Sequence, residues 1–410
     1  MKKRIIINLL ICFVLVGLLV NTKYVNLVQA SETIISADDA KKLAIAQINS
    51  DRLTDSESFK ENIHINKMEN LYSMDGTISA YLLAFEDSDM KPAGYIIVGA
   101  SRNQVPIIEY AYKGRCFLDR AKQYIITKDR LTETSVEIYY TGGLNYYIGD
   151  KKNAYIYKVS PNGIELIKRE EINISEVSVF NYNGKDEANN LWKSMENNIR
   201  ENNINNVKDN ITLNDGNYKS AYNSITSSKV KDYDKTSYLT IYDHDDNIIQ
   251  PSGPICGVNV LKYWCGVDVK FNNLKQKSWD TLFENIYDDL YIAHYSKTYP
   301  EDYLEIMKNY FSENAEGCSS YGYYNFNTSW DNITDELDNK CPVTIILQGG
   351  ISFGYEYLLG LGYKEFINDT GNSRYILVAD GLGSEANRYV NYFTGYKSGT
   401  GIAAIRLRPN

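Results

Sequence analysis

Gln250-Pro-Ser-Gly-Pro-Ile-Cys256-Gly-Val-Asn-Val-Leu-Lys-Tyr-Trp264 is the stretch on which the reading of this chain turns. Its Gly-Pro pair reads as a turn that runs straight into an apolar-periodic segment, so a helix is predicted from Cys256 to Trp264, stopping near Gly266. A cysteine at a helix N-terminus meets free backbone N–H groups and the positive end of the helix dipole, both of which favour a thiolate. Gln250 lies six residues upstream, a spacing that can return its side-chain amide to the sulfur. With the Cys256 N–H it makes a candidate oxyanion hole. The competing reading is a buried structural cysteine capping a helix, because free Cys is among the most buried residue types.

Downstream, helices are predicted over Leu274–Phe283, Glu301–Phe311 and Trp330–Asn339, the last with Trp330, Ile333 and Leu337 on one face. Strands follow over Pro342–Gln348, Tyr355–Gly362, Tyr375–Ala379 and Ala403–Leu407, each bounded by Gly, Asn or Asp. Helices first and an antiparallel sheet after give an α+β class. This order resembles the papain-like cysteine peptidases, and more closely the bacterial double-glycine-leader peptidase-like and streptopain families. The residues that carry the resemblance are Gln250 with Cys256-Gly257, Leu261-Lys-Tyr-Trp264, Trp330-Asp-Asn-Ile to Lys340-Cys-Pro-Val, Glu356-Tyr-Leu-Leu-Gly-Leu-Gly362-Tyr363 and Tyr375-Ile-Leu-Val-Ala-Asp380-Gly381.

The resemblance implies a papain-like cysteine peptidase domain over residues 236–410, with Cys256 as nucleophile, Gln250 as the oxyanion-hole side chain and Asp380 as the residue orienting the catalytic histidine. That histidine is expected six residues before the Gly of the Gly362-Tyr363 pair, where this chain has Glu356. The three histidines present are His64, near the N-terminus, and His244 and His294, which precede the predicted sheet. The substitution is chemically severe. A cysteine peptidase needs an imidazole to hold the thiol proton and later protonate the leaving amine. Proton transfer from a thiol of pKa about 8.5 to a carboxylate of about 4.3 is uphill by about 6 kcal/mol, and an ionised Glu356 beside the sulfur would raise the thiol pKa further.

Upstream, Met1-Lys-Lys-Arg4, the apolar run Ile5–Val20 and Val28-Gln29-Ala30 read as a secretory signal peptide ending at Ala30. Residues 31–170 begin with a capped amphipathic helix, Ser36 to Asp51, and continue with strand-like runs over Ile63–Ile65, Ser79–Phe85, Tyr95–Val98 and Val105–Tyr112. The segment from Ala80 to Tyr110 resembles the streptopain pro-domain. A helix-like piece, Leu118–Thr127, and a hairpin, Leu144–Ile148 with Ala154–Val159, complete this region. Residues 171–235 are rich in Asn, Ser, Lys and Asp and read as a linker with one short helix near Glu187–Arg200, a place where proteases could separate a removable N-terminal domain.

The net charge of -9 argues against nucleic acid and anionic membrane as partners. Past the signal peptide the cysteines are Cys116, Cys256, Cys265, Cys318 and Cys341, an odd set with neither CxxC spacing nor a His-Cys cluster, so neither a metal nor a cofactor is expected. The expected protein is secreted, keeps a peptidase cleft and is hydrolytically impaired, serving as a peptide- or protein-binding module with its N-terminal domain placed to pack on the cleft. The alternatives are a working thiol peptidase or acyl-transfer enzyme that uses Cys256 with an unconventional base, and a surface interaction protein with a vestigial cleft.

Overall fold

A computed structural model of the chain describes residues 34–54, 58–142, 144–160, 163–172, 185–201, 219–224, 252–267, 279–294, 299–314, 320–325, 328–348, 355–367, 372–380, 388–392 and 403–409. Helix α1 (Ala37–Thr54) starts as its sequence predicts. The Asp39 N–H donates to Ser36 Oγ at 3.1 Å, and Asp38 and Asp39 complement the dipole. The apolar stripe of Ala40, Leu43, Ala44 and Ile48 is buried, packed on an antiparallel meander of β1 (His64–Tyr72), β2 (Ile78–Glu86), β3 (Pro92–Gly99) and β4 (Ile107–Ala111). Next come α2 (Phe117–Asp129), β5 (Val136–Tyr140), β6 (Tyr146–Asp150), β7 (Tyr155–Ser160) and β8 (Gly163–Lys168), with β5 joining β1 in parallel. The helix and the β6–β7 hairpin match the sequence reading; β5 and β8 are additions to it.

The C-terminal half contains α4 (Ser252–Val267), α5 (Trp279–His294), α6 (Pro300–Asn314), β10 (Ser320–Asn325), α7 (Trp330–Asp338), β11 (Val343–Gln348), β12 (Tyr355–Ile367), β13 (Ser373–Ala379), β14 (Arg388–Asn391) and β15 (Ala403–Pro409). Within residues 171–235, expected as a linker with one short helix near Glu187–Arg200, the described residues include that helix as α3 (Lys185–Glu201) and also a strand, β9 (Lys219–Ser224). Helix α3 is fixed to the N-terminal half through Trp192, whose Nε1 donates to the Gln104 carbonyl at 2.8 Å, and through the Arg102–Glu196 ion pair. Strand β9 pairs antiparallel with β12 from Ser224↔Gly362 to Lys219↔Ile367.

Helices and strands thus form an α+β fold, and the described strands join one sheet. Its order is β10-β15-β11-β12-β13-β14-β4-β3-β2-β1-β5-β6-β7-β8, with β9 on β12 off this path. The halves meet where β14 pairs antiparallel with β4, at Tyr389↔Tyr110 and Val390↔Glu109. An aromatic wall closes over that junction: Tyr110 stacks on Tyr389 with centroids 5.0 Å apart and meets Tyr375 edge-on at 5.2 Å. Among the described residues no helix is long and apolar enough to cross a membrane. The expected signal peptide lies outside the described residues.

Burial pushes the hydroxyls of Tyr95, Tyr110 and Tyr146 well above the ordinary tyrosine range. The folded state therefore keeps protons that the unfolded chain releases above pH about 10, so stability falls as pH rises from there toward the folded values. On alkaline titration, tyrosinate absorbance at 295 nm from these buried rings should appear together with loss of near-ultraviolet circular dichroism. A full, gradual tyrosine titration centred near pH 10 with the fold intact would contradict this.

Candidate functional site

Helix α4 carries Cys256, but it begins four residues earlier than the sequence reading places it, at Ser252. Pro254 fits inside the first helical turn because its missing N–H is one the turn leaves unbonded anyway. Cys256 is therefore the fifth residue of the helix, one turn in from the end where an exposed dipole would act on it. The turn is anchored to the sheet, since the Tyr357 N–H donates to Ser252 Oγ at 3.2 Å. Gly257 lets α4 lie close to α6: a Cβ there would come within 2.9 Å of Met307 Sδ.

The Cys256 side chain is buried, with 2% exposure. Its Sγ–H donates to Thr344 Oγ1 at 3.6 Å, and the Tyr303 hydroxyl lies 3.3 Å from the same oxygen. Burial first, and then the neighbouring Cys256, push the Tyr303 hydroxyl well above its ordinary range. Tyr303 is thus a neutral hydroxyl, and neither it nor Thr344 can hold a thiol proton at neutral pH as an imidazole does.

Glu356 is where the structure departs most from the sequence reading. In the β11–β12 ladder Thr344 faces Leu359 and Ile346 faces Tyr357, and the Tyr357 ring lies 5.0 Å from that of Tyr303. Residues 355, 357 and 359 therefore share the face of the sheet that Cys256 contacts. Strand alternation sends Glu356 to the opposite face. There its Oε1 accepts from Lys158 Nζ of β7 at 2.7 Å, with the two side chains 2% and 3% exposed. The expectation of an ionised Glu356 beside the sulfur is corrected accordingly: the carboxylate is turned toward the N-terminal half and neutralised there.

Asp380, directly after β13, is engaged in the same direction. Its Oδ2 lies 2.7 Å from Arg388 Nε in a charge contact that lacks hydrogen-bond alignment, and Arg388 Nη1 donates to Glu109 Oε2 at 2.8 Å. The Tyr95 hydroxyl holds the other Glu109 oxygen at 2.9 Å, and the Arg388 guanidinium covers the Phe117 ring at 4.5 Å. A third pair repeats the pattern: Lys364 Nζ of β12 donates to Asp51 Oδ1 of α1 at 2.5 Å, and the Tyr110 hydroxyl donates to the same oxygen at 3.0 Å. Burial raises the Asp51 pKa, with Lys364 acting against that shift.

The structure therefore brings Glu356 and Asp380 to one side and leaves Cys256 on the other. Gln250 and His244 lie outside the described residues, as does the side chain of His294 at the end of α5. His64 begins β1, in the N-terminal half. The sequence reading passed over Lys158, Glu109, Asp51, Lys364 and Arg388. For Lys158 and Glu109 the signal was present as single charges inside aromatic and β-branched runs, Tyr155-Ile-Tyr-Lys-Val-Ser160 and Ile107-Ile-Glu-Tyr-Ala111, where a lone charge requires a partner. Cys116, Cys256, Cys265 and Cys341 are buried thiols outside any disulfide. Among the described residues no group of three or more His, Cys, Asp or Glu side chains is placed to hold a metal ion.

No protein-family model matches the chain, and no curated protein matches its sequence. Among solved structures it is similar to a mutant fragment of Prevotella intermedia prointerpain A, with 9% identity and a TM-score of 0.32, over 83% of this chain and 98% of that one. At that level the likeness supplies no residue correspondence.

Two outcomes follow from this geometry. Lys158→Met or Glu356→Met alone strands a buried charge and should cost about 3–5 kcal/mol, whereas K158M/E356M together should return stability to the wild-type level or above. Urea unfolding of the four proteins measures this, and additive losses in the double variant would contradict the pairing. Separately, iodoacetamide should alkylate Cys256 in the folded chain far more slowly than in urea, without the rapid reaction near pH 6 that marks an activated thiolate. Peptide mapping of the labelled protein reads the rate.

Proposed function

We propose that the chain is a secreted, hydrolytically silent protein of papain-like plan that acts by binding a peptide or protein. The observation that supports this most is the fate of the two strand carboxylates. The positions at which the family resemblance puts a base and its orienting acid hold Glu356 and Asp380, each in a buried ion pair directed away from Cys256. The thiol, in turn, has hydroxyl neighbours in Thr344 and Tyr303. Nucleophilic catalysis by cysteine needs a group that takes the thiol proton and returns it to the leaving amine, and neither carboxylate is placed to do so. The net charge of -9 favours a polypeptide ligand over nucleic acid.

Casein and a mixed peptide pool, incubated with wild type and with Cys256→Ala, test the reading. The expected result is no Cys256-dependent cleavage by wild type. Glu356→His should add none, because its imidazole would stand on the face opposite Cys256 and would replace the carboxylate to which Lys158 donates. Cleavage by wild type that disappears in C256A would overturn the proposal.

A further inference from the structure

The junction between the two halves is built like protein interior. The N-terminal half contributes Asp51, Glu109 and Lys158, and the C-terminal half answers with Lys364, Arg388 and Glu356. All six side chains are at most 3% exposed. Around them, Asn391 Nδ2 donates to the Ile107 carbonyl at 2.9 Å and the Tyr375 hydroxyl donates to Gln47 Oε1 at 3.2 Å. Lys364 Nζ sits 4.6 Å from the centre of the Tyr389 ring, whose other neighbours are Tyr110 and Tyr112 of the N-terminal half. The contact is also a continuation of the sheet, because β14 takes β4 as its second neighbour.

We propose that the N-terminal half, residues 34–201, is a permanent partner of the C-terminal half, retained as part of one native unit when the chain joining them is cut. This runs against the sequence-based expectation of a removable domain. Separation would strip β14 of a neighbour, bring Tyr110, Tyr375 and Tyr389 into water together, and open three ion pairs of alternating sense at once. Interfaces of that kind resemble a core cut in two and belong to obligate assemblies, while a bared strand edge beside an aromatic wall is a template for aggregation. The alternation of charge, with acid on one side at two pairs and on the other side at the third, also fixes the register in which the halves meet. The proposal is independent of whether Cys256 reacts, since none of the ion pairs and ring contacts on which it rests includes that thiol.

A protease recognition sequence inserted after Asn210 of the full chain provides the test. After complete cutting, size-exclusion chromatography should show both fragments eluting together at the volume of the uncut protein. The near-ultraviolet circular dichroism should be unchanged, and melting should remain a single transition whose midpoint now depends on protein concentration. Elution of the N-terminal fragment on its own, or loss of the native spectrum on cutting, would overturn the proposal.

Discussion

Burying a carboxylate away from water costs several kcal/mol unless a cation is buried with it, and that requirement is met at the seam of this molecule by side chains far apart in sequence. Lys158 and Glu356 are 198 positions apart, and Asp51 and Lys364 are 313 apart. Each pair takes its acid from one half and its cation from the other. The Glu109–Arg388–Asp380 chain adds a link in which one guanidinium answers an acid from each half. Such networks contribute modest net stability, but breaking one member is costly, so they specify which surfaces meet and in what register.

This constraint also settles how the candidate site is arranged. Strand β12 has two faces, and the seam uses both. Glu356 leaves one of them toward Lys158, while Tyr357 packs against Tyr303 on the other, where α4 and α6 lie, and past the irregularity between Gly360 and Gly362 that second face carries Lys364 to Asp51. Cys256 belongs to the second face and to a neutral, hydroxyl-lined environment. A single strand thus separates the thiol from the carboxylate that the family resemblance would set beside it. Glu356 is better understood as the counter-ion of Lys158 than as a replaced base.

Much of the fold could be read from local pattern. Helix α1 has a capping serine and a clean apolar stripe, α7 has Ser329 as its cap and buried Trp330, Ile333 and Leu337, and β11, β12 and β13 are long β-branched or apolar runs. The elements that escaped have weak local signals. β14 is four residues, Arg388-Tyr-Val-Asn391, flanked by polar ends, and β8 is a short edge strand with exposed Leu166. α3, by contrast, was expected as a short helix near Glu187–Arg200 and forms over Lys185–Glu201, held by buried Ala188, Leu191, Trp192 and Met195. The start of α4 was misplaced because Gly253-Pro254 reads as a turn although proline is also at home in a first helical turn. At the site, Cys256 could be picked out locally, but the pairing of Lys158 with Glu356 is a property of the assembled sheet and has no local trace beyond a lone charge in an apolar strand.

The central claim is that the β4–β14 junction belongs to the cooperative core. Native-state hydrogen exchange measures it directly. The account predicts that the sheet-bonded amides of residues 107–111 and 388–391 exchange only through the same large opening that exposes β3 and β13, with equal free energies and equal denaturant dependence. Exchange at the junction through a separate opening of much lower free energy, with β3 and β13 still protected, would contradict it.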